Sequence, residues 1–183
     1  MNKKIVVFAG NECDKIKEKY YYNVAYDTGK LLAQSGFTAV TGGGEGLMNQ
    51  VNKGACENGG KVIGVRLFEE GRKQSQYVSE VLMFQKLSPR QEKLLSLGDG
   101  YMAVPGGIGT FYEIFEVMSR KRKGEIPSAK PLILIDGYFD QFENLMQKIK
   151  VNGFIGPNVN LNDLYSYAQT PIEAVRRLKE MLI

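Results

Sequence analysis

Residues 100–113, GYMAVPGGIGTFYE, decide the fold because they join an apolar strand pattern to a helical pattern through three glycines and a threonine. Glycines let the backbone approach a ligand closely, and the N-terminus of the following helix adds partial positive charge. A corner of this kind binds phosphate without a metal. The candidate ligand-binding residues in this loop are Gly106, Gly107, Gly109 and Thr110.

Glu113 follows Thr110 by three residues, and this spacing has two interpretations. In the functional one, the carboxylate lies in the first helical turn and reaches a sugar hydroxyl or a water beside an anchored nucleotide. In the other, Thr110 and Glu113 form a capping box, in which Glu113 only accepts a hydrogen bond from the backbone of Thr110. The spacing alone leaves both open.

Strand and helix patterns alternate over the rest of the chain. Helical spacing of apolar residues separates most of the short apolar runs, although the run at 81–84 is equally compatible with a loop or short helix. This alternation predicts an α/β fold, a Rossmann-like doubly wound parallel sheet in a single domain over residues 1–183. Residues 66–80 and 153–170 show no clear pattern, and the predicted strands are 5–9, 37–40, 61–65, 81–84, 100–104 and 131–135.

Two segments carry signals for the start of a helix. Ser88 is followed by Pro89 and Gln91, and Thr170 begins the similar sequence Thr170-Pro171-Ile172-Glu173. A capping hydroxyl, a proline in the first turn and a Glu or Gln three residues after the cap are typical of helix N-termini. We therefore expect a helix beginning at Ser88 and a final helix over residues 171–182.

Composition limits the classes of function. The 183 residues are 43% hydrophobic, which suits one soluble domain. The chain has no histidine, which removes histidine acid–base catalysis and most zinc sites, and its two cysteines suggest no disulfide framework. The net charge of +4 is mild, and the basic run at 120–123 is typical of a solvated helix end rather than a nucleic-acid surface. The short N-terminal apolar run predicts no membrane segment and a cytoplasmic protein.

Two further loops follow predicted strands and are expected at the same edge of the sheet. Gly10 and Asn11 end the first strand, and residues 41–46, TGGGEG, follow the second. Neither glycine-rich loop has the dinucleotide Gly-x-Gly-x-x-Gly spacing, and no suitable Walker sequence is present. Ligands of open α/β sheets bind at the carboxyl ends of strands, so Gly10, Asn11, Gly43 and Gly44 are further candidates for substrate binding.

These two loops give the chain a resemblance to the LONELY GUY (LOG) family of nucleoside 5′-monophosphate phosphoribohydrolases, formerly described as lysine decarboxylases. Residues 105–113, PGGIGTFYE, match that family's Pro-Gly-Gly-x-Gly-Thr-x-x-Glu signature at every fixed position. Residues 42–48, GGGEGLM, resemble its second glycine element, and the likeness spans about residues 5–150. The resemblance implies hydrolysis of the N-glycosidic bond of AMP or a cytokinin riboside monophosphate, with no metal or other cofactor.

The resemblance also implies a catalytic pair, which falls on Arg90 and Glu113. A carboxylate can stabilise the oxocarbenium character that builds on the ribose as the base leaves. Arg90 could hold the phosphate or help the base depart. Glu116, one turn after Glu113, is either a second carboxylate of the site or a helix-surface residue. Gln91 stands where the family usually has lysine, and Asn49 stands where a subgroup of the family often has glutamate. Both changes bear on which base is preferred and on whether the protein is catalytically competent.

Two other functions fit the same loops. Similar Rossmann-like proteins with a Pro-Gly-Gly-x-Gly-Thr loop carry the molybdenum cofactor without catalysis, and a nucleotide sensor would bind without cleaving. Retention of Arg90 and Glu113 favours the enzyme. The expected partners are a small-molecule nucleotide and, as the family implies, a second copy of the chain in a homodimer, with no nucleic acid and no membrane. Residues 20–22 and the helix from Thr110 are the candidate dimer surfaces.

Overall fold

Seven strands form one parallel sheet in the computed structural model, which describes residues 2–183. Every neighbouring pair of strands is parallel, and the strand order is β4-β3-β2-β1-β5-β6-β7. This order confirms the doubly wound Rossmann-like fold that the sequence predicts. The strands are β1 (Lys4–Phe8), β2 (Thr38–Thr41), β3 (Val62–Leu67), β4 (Glu80–Phe84), β5 (Gly100–Ala103), β6 (Leu132–Ile135) and β7 (Ser166–Ala168).

Helices cover both faces of the sheet. They are α1 (Lys15–Gln34), α2 (Gly46–Glu57), α3 (Leu87–Leu97), α4 (Ile108–Lys123), α5 (Asp140–Val151) and α6 (Pro171–Leu182), with short 3-10 turns at Gly137–Phe139 and Leu161–Asp163. The predicted final helix over residues 171–182 is confirmed. Its cap forms as expected, because Thr170 Oγ1 accepts a hydrogen bond from the backbone N–H of Glu173.

One predicted helix start is wrong, and one of the two interpretations of Thr110 is excluded. α3 begins at Leu87 after Lys86, so Ser88 lies inside the helix and does not cap it. α4 begins at Ile108 with Gly107 as its cap residue, so Thr110 lies within the first turn. The capping-box interpretation of Thr110 and Glu113 therefore does not hold. Sequence spacing predicted both helices, but each begins earlier in the chain than the spacing indicates.

The alternation of side chains in β1 shows why the strands read as continuous apolar runs. Val6 and Phe8 pack on the face covered by α3, α4 and α5, whereas Ile5 and Val7 pack on the face covered by α1, α2 and α6. Both faces are therefore buried, as in other parallel sheets. Strand β7, three residues long, was not predicted because its segment carries too few residues to show a period.

The basic run ends α4 as expected, since the helix stops at Lys123 and Gly124 has a φ of +78°. One of its members is not solvated. Lys121 is only 8% exposed, and its Nζ donates to the carbonyl of Leu164 at 3.2 Å. Burial lowers the pKa of Lys121 to about 8. Within residues 2–183, none of the helices combines the length and apolar character needed to cross a membrane.

The chain reverses its direction of travel across the sheet at β1. From β1 the strands proceed through β2 and β3 to β4, and β5 then returns to pair with the other side of β1. Such a reversal opens a crevice at the carboxyl ends of the two central strands. The loop at Gly10 and residues 105–110 lie at this crevice. We term residues 105–110 the signature loop.

Candidate active site

Three loops meet at this crevice. The Gly10 N–H donates to the carbonyl of Pro105 at 3.1 Å, and the Gly10 carbonyl accepts from the N–H of Leu47 at 3.1 Å. Gly10 thus joins the signature loop to residues 41–46, the first glycine loop. The approach is close, because a Cβ on Gly10 would lie 3.0 Å from the Cα of Gly106. The loops enclose a cavity of about 530 Å³.

Most of the residues that the sequence singled out line this cavity. They include both members of the implied catalytic pair and six of the nine other candidates, namely Arg90, Glu113, Gly10, Asn11, Gly44, Gly107, Gly109 and Thr110. The other three candidates for substrate binding, Gly43, Gly106 and Glu116, do not line this cavity.

Gly43 and Gly106 support the loops from the side that faces away from the cavity. The Gly43 N–H donates to Thr41 Oγ1 at 3.0 Å and its carbonyl accepts from Ser75, so neither group faces the cavity. The Gly106 carbonyl accepts from Tyr138 Oη at 2.7 Å. A Cβ on Gly106 would lie 2.1 Å from Thr110 Oγ1, which explains why this position needs glycine.

Glu116 pairs with its own helix. Its Oε1 accepts from Arg120 Nε at 3.0 Å and from Nη2 at 2.8 Å, an i,i+4 ion pair on α4. Its Oε2 is buried and has no hydrogen-bond partner among the described residues. One oxygen of Glu116 is thus held by Arg120 and the other is buried, so Glu116 is neither a solvated helix-surface residue nor part of the cavity wall.

The N-terminus of α4 faces the cavity without a side-chain cap among residues 2–183. Cβ atoms built on Gly107 and Gly109 would meet no atom within 4 Å, so the space in front of this turn is open. The first N–H groups of a helix have no partner within the helix and carry partial positive charge. The turn is therefore suited to bind an anion such as phosphate.

Arg90 and Glu113 form an ion pair at the cavity. Arg90 Nη1 lies 2.9 Å from Glu113 Oε1, and each side chain is only 12% exposed. Arg90 is fixed further, since its Nε donates to the carbonyl of Val65 and its Nη1 to Gln91 Oε1, each at 2.9 Å. The remaining nitrogen, Nη2, lies 2.7 Å from where a Cβ on Gly42 would stand. A side chain at residue 42 would collide with the guanidinium.

Burial sets the acid strength of Glu113. Desolvation raises the pKa of its carboxyl above 4.5, while the charge and the hydrogen bond of Arg90 act in the opposite direction and are outweighed. The carboxylate is therefore more basic than a solvated glutamate. A basic, partly desolvated carboxylate stabilises a developing positive charge strongly, because little water screens it.

The sequence analysis missed the far wall of the cavity. Arg66, at the carboxyl end of β3, is 8% exposed and holds the following segment by donating from Nη2 to the carbonyls of Arg72 and Lys73, each at 3.2 Å. Arg66, Arg72 and Lys73 all line the cavity. An arginine directly after the predicted strand 61–65 was the available signal. Residues 2–183 contain no cluster of three or more His, Cys, Asp or Glu side chains arranged to hold a metal ion.

A buried hydrogen bond behind the first glycine loop was also missed. Thr41 Oγ1 donates to Asn52 Oδ1 at 2.8 Å, and the same hydroxyl accepts from Gly43. Asn52 is fully buried on α2. The first glycine loop is thus fixed from inside the protein.

Comparison with known proteins identifies the family of this chain. A family model described as "Possible lysine decarboxylase" matches residues 48–178. "Probable cytokinin riboside 5′-monophosphate phosphoribohydrolase LOGL2" of Oryza sativa subsp. japonica is 31% identical over 97% of this chain and 72% of its own length. Cytokinin riboside 5′-monophosphate phosphoribohydrolase LOG3 of Arabidopsis thaliana is 29% identical over 97% of this chain and 82% of its own length.

Solved structures share the fold. The X-ray structure of TM1055 superposes with a TM-score of 0.75 and 25% identity, covering 97% of this chain and 99% of that one. The molybdenum cofactor binding protein from Rippkaea orientalis superposes with a TM-score of 0.74 at 21% identity, covering 100% and 99%. The second likeness establishes the fold alone, whereas the family model and the plant relatives share sequence over most of the chain. The chain therefore belongs to the LOG family of cytokinin riboside 5′-monophosphate phosphoribohydrolases.

Proposed function

We propose that this protein hydrolyses the N-glycosidic bond of a nucleoside 5′-monophosphate, AMP or a cytokinin riboside monophosphate, to free base and ribose 5-phosphate. The observation that carries the proposal is the 2.9 Å ion pair between Arg90 and Glu113 beside the uncapped N-terminus of α4. An anion site and a desolvated carboxylate in one cavity match the two ends of a ribose 5-phosphate group.

The phosphate binds at the signature loop. Backbone N–H groups at Gly107, Gly109 and Thr110 supply donors, and the helix dipole of α4 favours the negative charge. Thr110 is 3% exposed, so its side chain shapes the turn while its backbone contributes to the anion site. Anchoring the phosphate here orients the ribose toward Glu113, which lies one helical turn further along α4.

Glu113 acts on the ribose. As the base leaves with the electron pair of the C–N bond, positive charge builds on the anomeric carbon and ring oxygen, and the carboxylate stabilises it. Water adds its oxygen to the anomeric carbon; one of its protons stays on the new hydroxyl group, and the other passes by way of Glu113 to the departing base. The raised pKa of Glu113 lets the carboxylate orient that water and accept a proton from it.

Arg90 keeps Glu113 ionised and in place. Its Nε and Nη1 are occupied by Val65, Gln91 and Glu113, which leaves Nη2 above Gly42 for the substrate. This nitrogen either contacts the phosphate or donates to the departing base. Both roles need a fixed, charged guanidinium, and lysine cannot reproduce that geometry.

Incubation of the purified protein with AMP, followed by chromatography of adenine and ribose 5-phosphate, tests the proposal. We expect Glu113→Gln to lower kcat by about a thousandfold, the scale on which removal of a group that stabilises transition-state charge acts. Glu125→Gln is the matched control, because Glu125 is a solvent-exposed carboxylate beyond the end of α4. Absence of base release from AMP and from isopentenyl-AMP would overturn the proposal.

A carrier or sensor is the second candidate. The far wall adds Arg66, Arg72 and Lys73, of which Arg72 pairs with Glu69 in the same wall, and the Rippkaea protein with this fold binds a molybdenum cofactor. Gln91 Nε2 is buried without a partner among the described residues, which shows that this departure from the family leaves a polar group unsatisfied. Saturable AMP binding with no free base would favour this candidate.

We also propose that the protein is a homodimer, as its family implies. Ile108, Tyr112 and Phe115 on α4 are exposed and provide an apolar surface for a second copy. Tyr20 is a weaker candidate, because its hydroxyl is already bonded to Asp136 within the chain. Light scattering during size-exclusion chromatography, with Phe115→Glu as the disrupting variant, tests this surface.

A further inference from the structure

Tyr138 touches the signature loop from outside the cavity. Its hydroxyl donates to the Gly106 carbonyl at 2.7 Å, and the residue does not line the cavity. We propose that Tyr138 is a positioning residue, which holds the Gly106–Gly107 peptide in the orientation that aims the Gly107 N–H at the substrate phosphate. The proposal rests on the proposed function, since it assigns Tyr138 to the phosphate end of that site.

Peptide geometry supports this role. In a trans peptide, the C=O of one residue and the N–H of the next point in opposite directions, and the described residues contain no cis peptide. The Gly106 carbonyl points outward to Tyr138, so the Gly107 N–H points to the opposite side. Gly107 lines the cavity, and a Cβ built on it would meet no atom within 4 Å. Glycine has fewer steric limits on its backbone angles than other residues, so the hydrogen bond from Tyr138 limits the orientations open to this peptide.

The segment that carries Tyr138 is held in an unusual backbone conformation. Asp136 has a φ of +84° and is the one non-glycine residue with positive φ among residues 2–183. Its Oδ1 accepts from the N–H of Tyr138 at 2.9 Å, and its Oδ2 accepts from the hydroxyl of Tyr20. A non-glycine residue in this region persists only where its surroundings fix it, and such residues cluster at functional sites.

Aromatic packing fixes the ring independently of its hydroxyl. The ring of Tyr138 lies 5.2 Å from that of Phe139, 6.1 Å from that of Tyr21 and 6.3 Å from that of Phe111. Phe111 is in the first turns of α4, so the cluster also joins this segment to the signature loop. Removal of the hydroxyl alone therefore leaves the ring in place and frees only the Gly106 carbonyl.

Tyr138→Phe tests the role with three ligands. We expect the affinity for inorganic phosphate, measured by calorimetry, and the inhibition constant of ribose 5-phosphate to weaken about three- to tenfold, the effect of one net hydrogen bond. The inhibition constant of adenine, which has no phosphate, stays unchanged, and kcat for AMP changes less than about twofold. A structural role alone would weaken all three ligands together and lower the melting temperature.

Tyr26→Phe is the matched control, because it removes a tyrosine hydroxyl that bonds Glu57 between α1 and α2. Unchanged phosphate and ribose 5-phosphate affinity in Tyr138→Phe would overturn the inference, as would equal weakening of adenine. If the wild type binds phosphate but releases no base from any nucleotide, the proposed function fails. The phosphate measurement still decides the role of Tyr138 in that case.

Discussion

The first glycine loop and the signature loop both connect the carboxyl end of a central strand to a helix, yet their helix N-termini have different surroundings. In front of α2, the Gly10 carbonyl accepts from Leu47, and a Cβ on Gly46 would lie 1.6 Å from the carbonyl oxygen of Asn11. In front of α4, Cβ atoms on Gly107 and Gly109 would meet nothing within 4 Å. The protein's own backbone fills one site, and the other is left open.

This difference teaches that glycine content alone does not identify an anion site. In the first glycine loop, glycines allow backbone to pack on backbone, and the buried Thr41–Asn52 hydrogen bond fixes the result. In the signature loop, Gly106 is also closely packed, against Thr110, but Gly107 and Gly109 leave space at the start of α4. In the proposed function, the first glycine loop forms a fixed wall of the site, and the signature loop presents the N-terminus of α4 to the phosphate.

Gly46→Ala tests the close backbone packing of the first glycine loop and should have the largest effect. Gly46 has a φ of +64° and meets Asn11 at 1.6 Å, so we expect a loss of about 3 kcal/mol or more in the free energy of unfolding. Gly36→Ala is the control, because Gly36 has a φ of +77° but nothing within 4 Å, and should lose only about 1 kcal/mol. Urea denaturation measures both, and equal losses would show that close packing at Gly46 is unimportant.

Gly109→Asp tests the signature loop, which is open at the start of α4. A carboxylate in the first turn of α4 favours the helix dipole but repels a bound phosphate, so stability should be kept while kcat/KM for AMP falls about 30-fold relative to Gly109→Asn. Asn has nearly the same size without the charge, which isolates the electrostatic effect. Equal kcat/KM values for the two variants would place the phosphate elsewhere.

Arg90→Gln tests how Arg90 affects the pKa of Glu113, the carboxylate beside the signature loop. Arg90 lowers the pKa of Glu113 against the larger effect of burial, so removal of its charge should raise that pKa further. Titration of the Glu113 carboxyl by carbon NMR, with Glu113→Gln to assign the signal, measures the shift. A shift to lower pH, or none, would contradict the assigned electrostatics.

The raised pKa of Glu113 also makes the stability of the fold depend on pH. A carboxyl whose pKa is higher in the folded than in the unfolded protein stabilises the fold most below the unfolded pKa, and that contribution is lost as the pH rises through the folded pKa. The free energy of unfolding of Arg90→Gln should therefore fall more than that of the wild type between about pH 4.5 and neutral pH. Urea denaturation at several pH values measures the slope.

Lys121→Met extends the comparison to the other end of α4, and its expected effect is the smallest. Burial lowers the pKa of Lys121 from 10.5 to about 8, so its charge destabilises the fold at neutral pH. Methionine has similar length and no charge, and should raise the free energy of unfolding at neutral pH by about 1 kcal/mol. The advantage should shrink above about pH 8, where Lys121 becomes neutral in the folded protein. Lys123→Met, at an exposed position, should show neither change.

The sequence by itself determined the alternation of strands and helices, the parallel sheet and the two glycine loops, because apolar periodicity and glycine spacing are local properties of the chain. Through the family resemblance it also predicted Arg90 and Glu113 as a pair, and in the structure these two side chains lie 2.9 Å apart. Only the tertiary structure decided which glycine loop stays open, since Gly10 and Asn11 reach α2 from another strand. The same holds for Tyr138 behind Gly106. These contacts join residues far apart in the chain, and no local pattern records them.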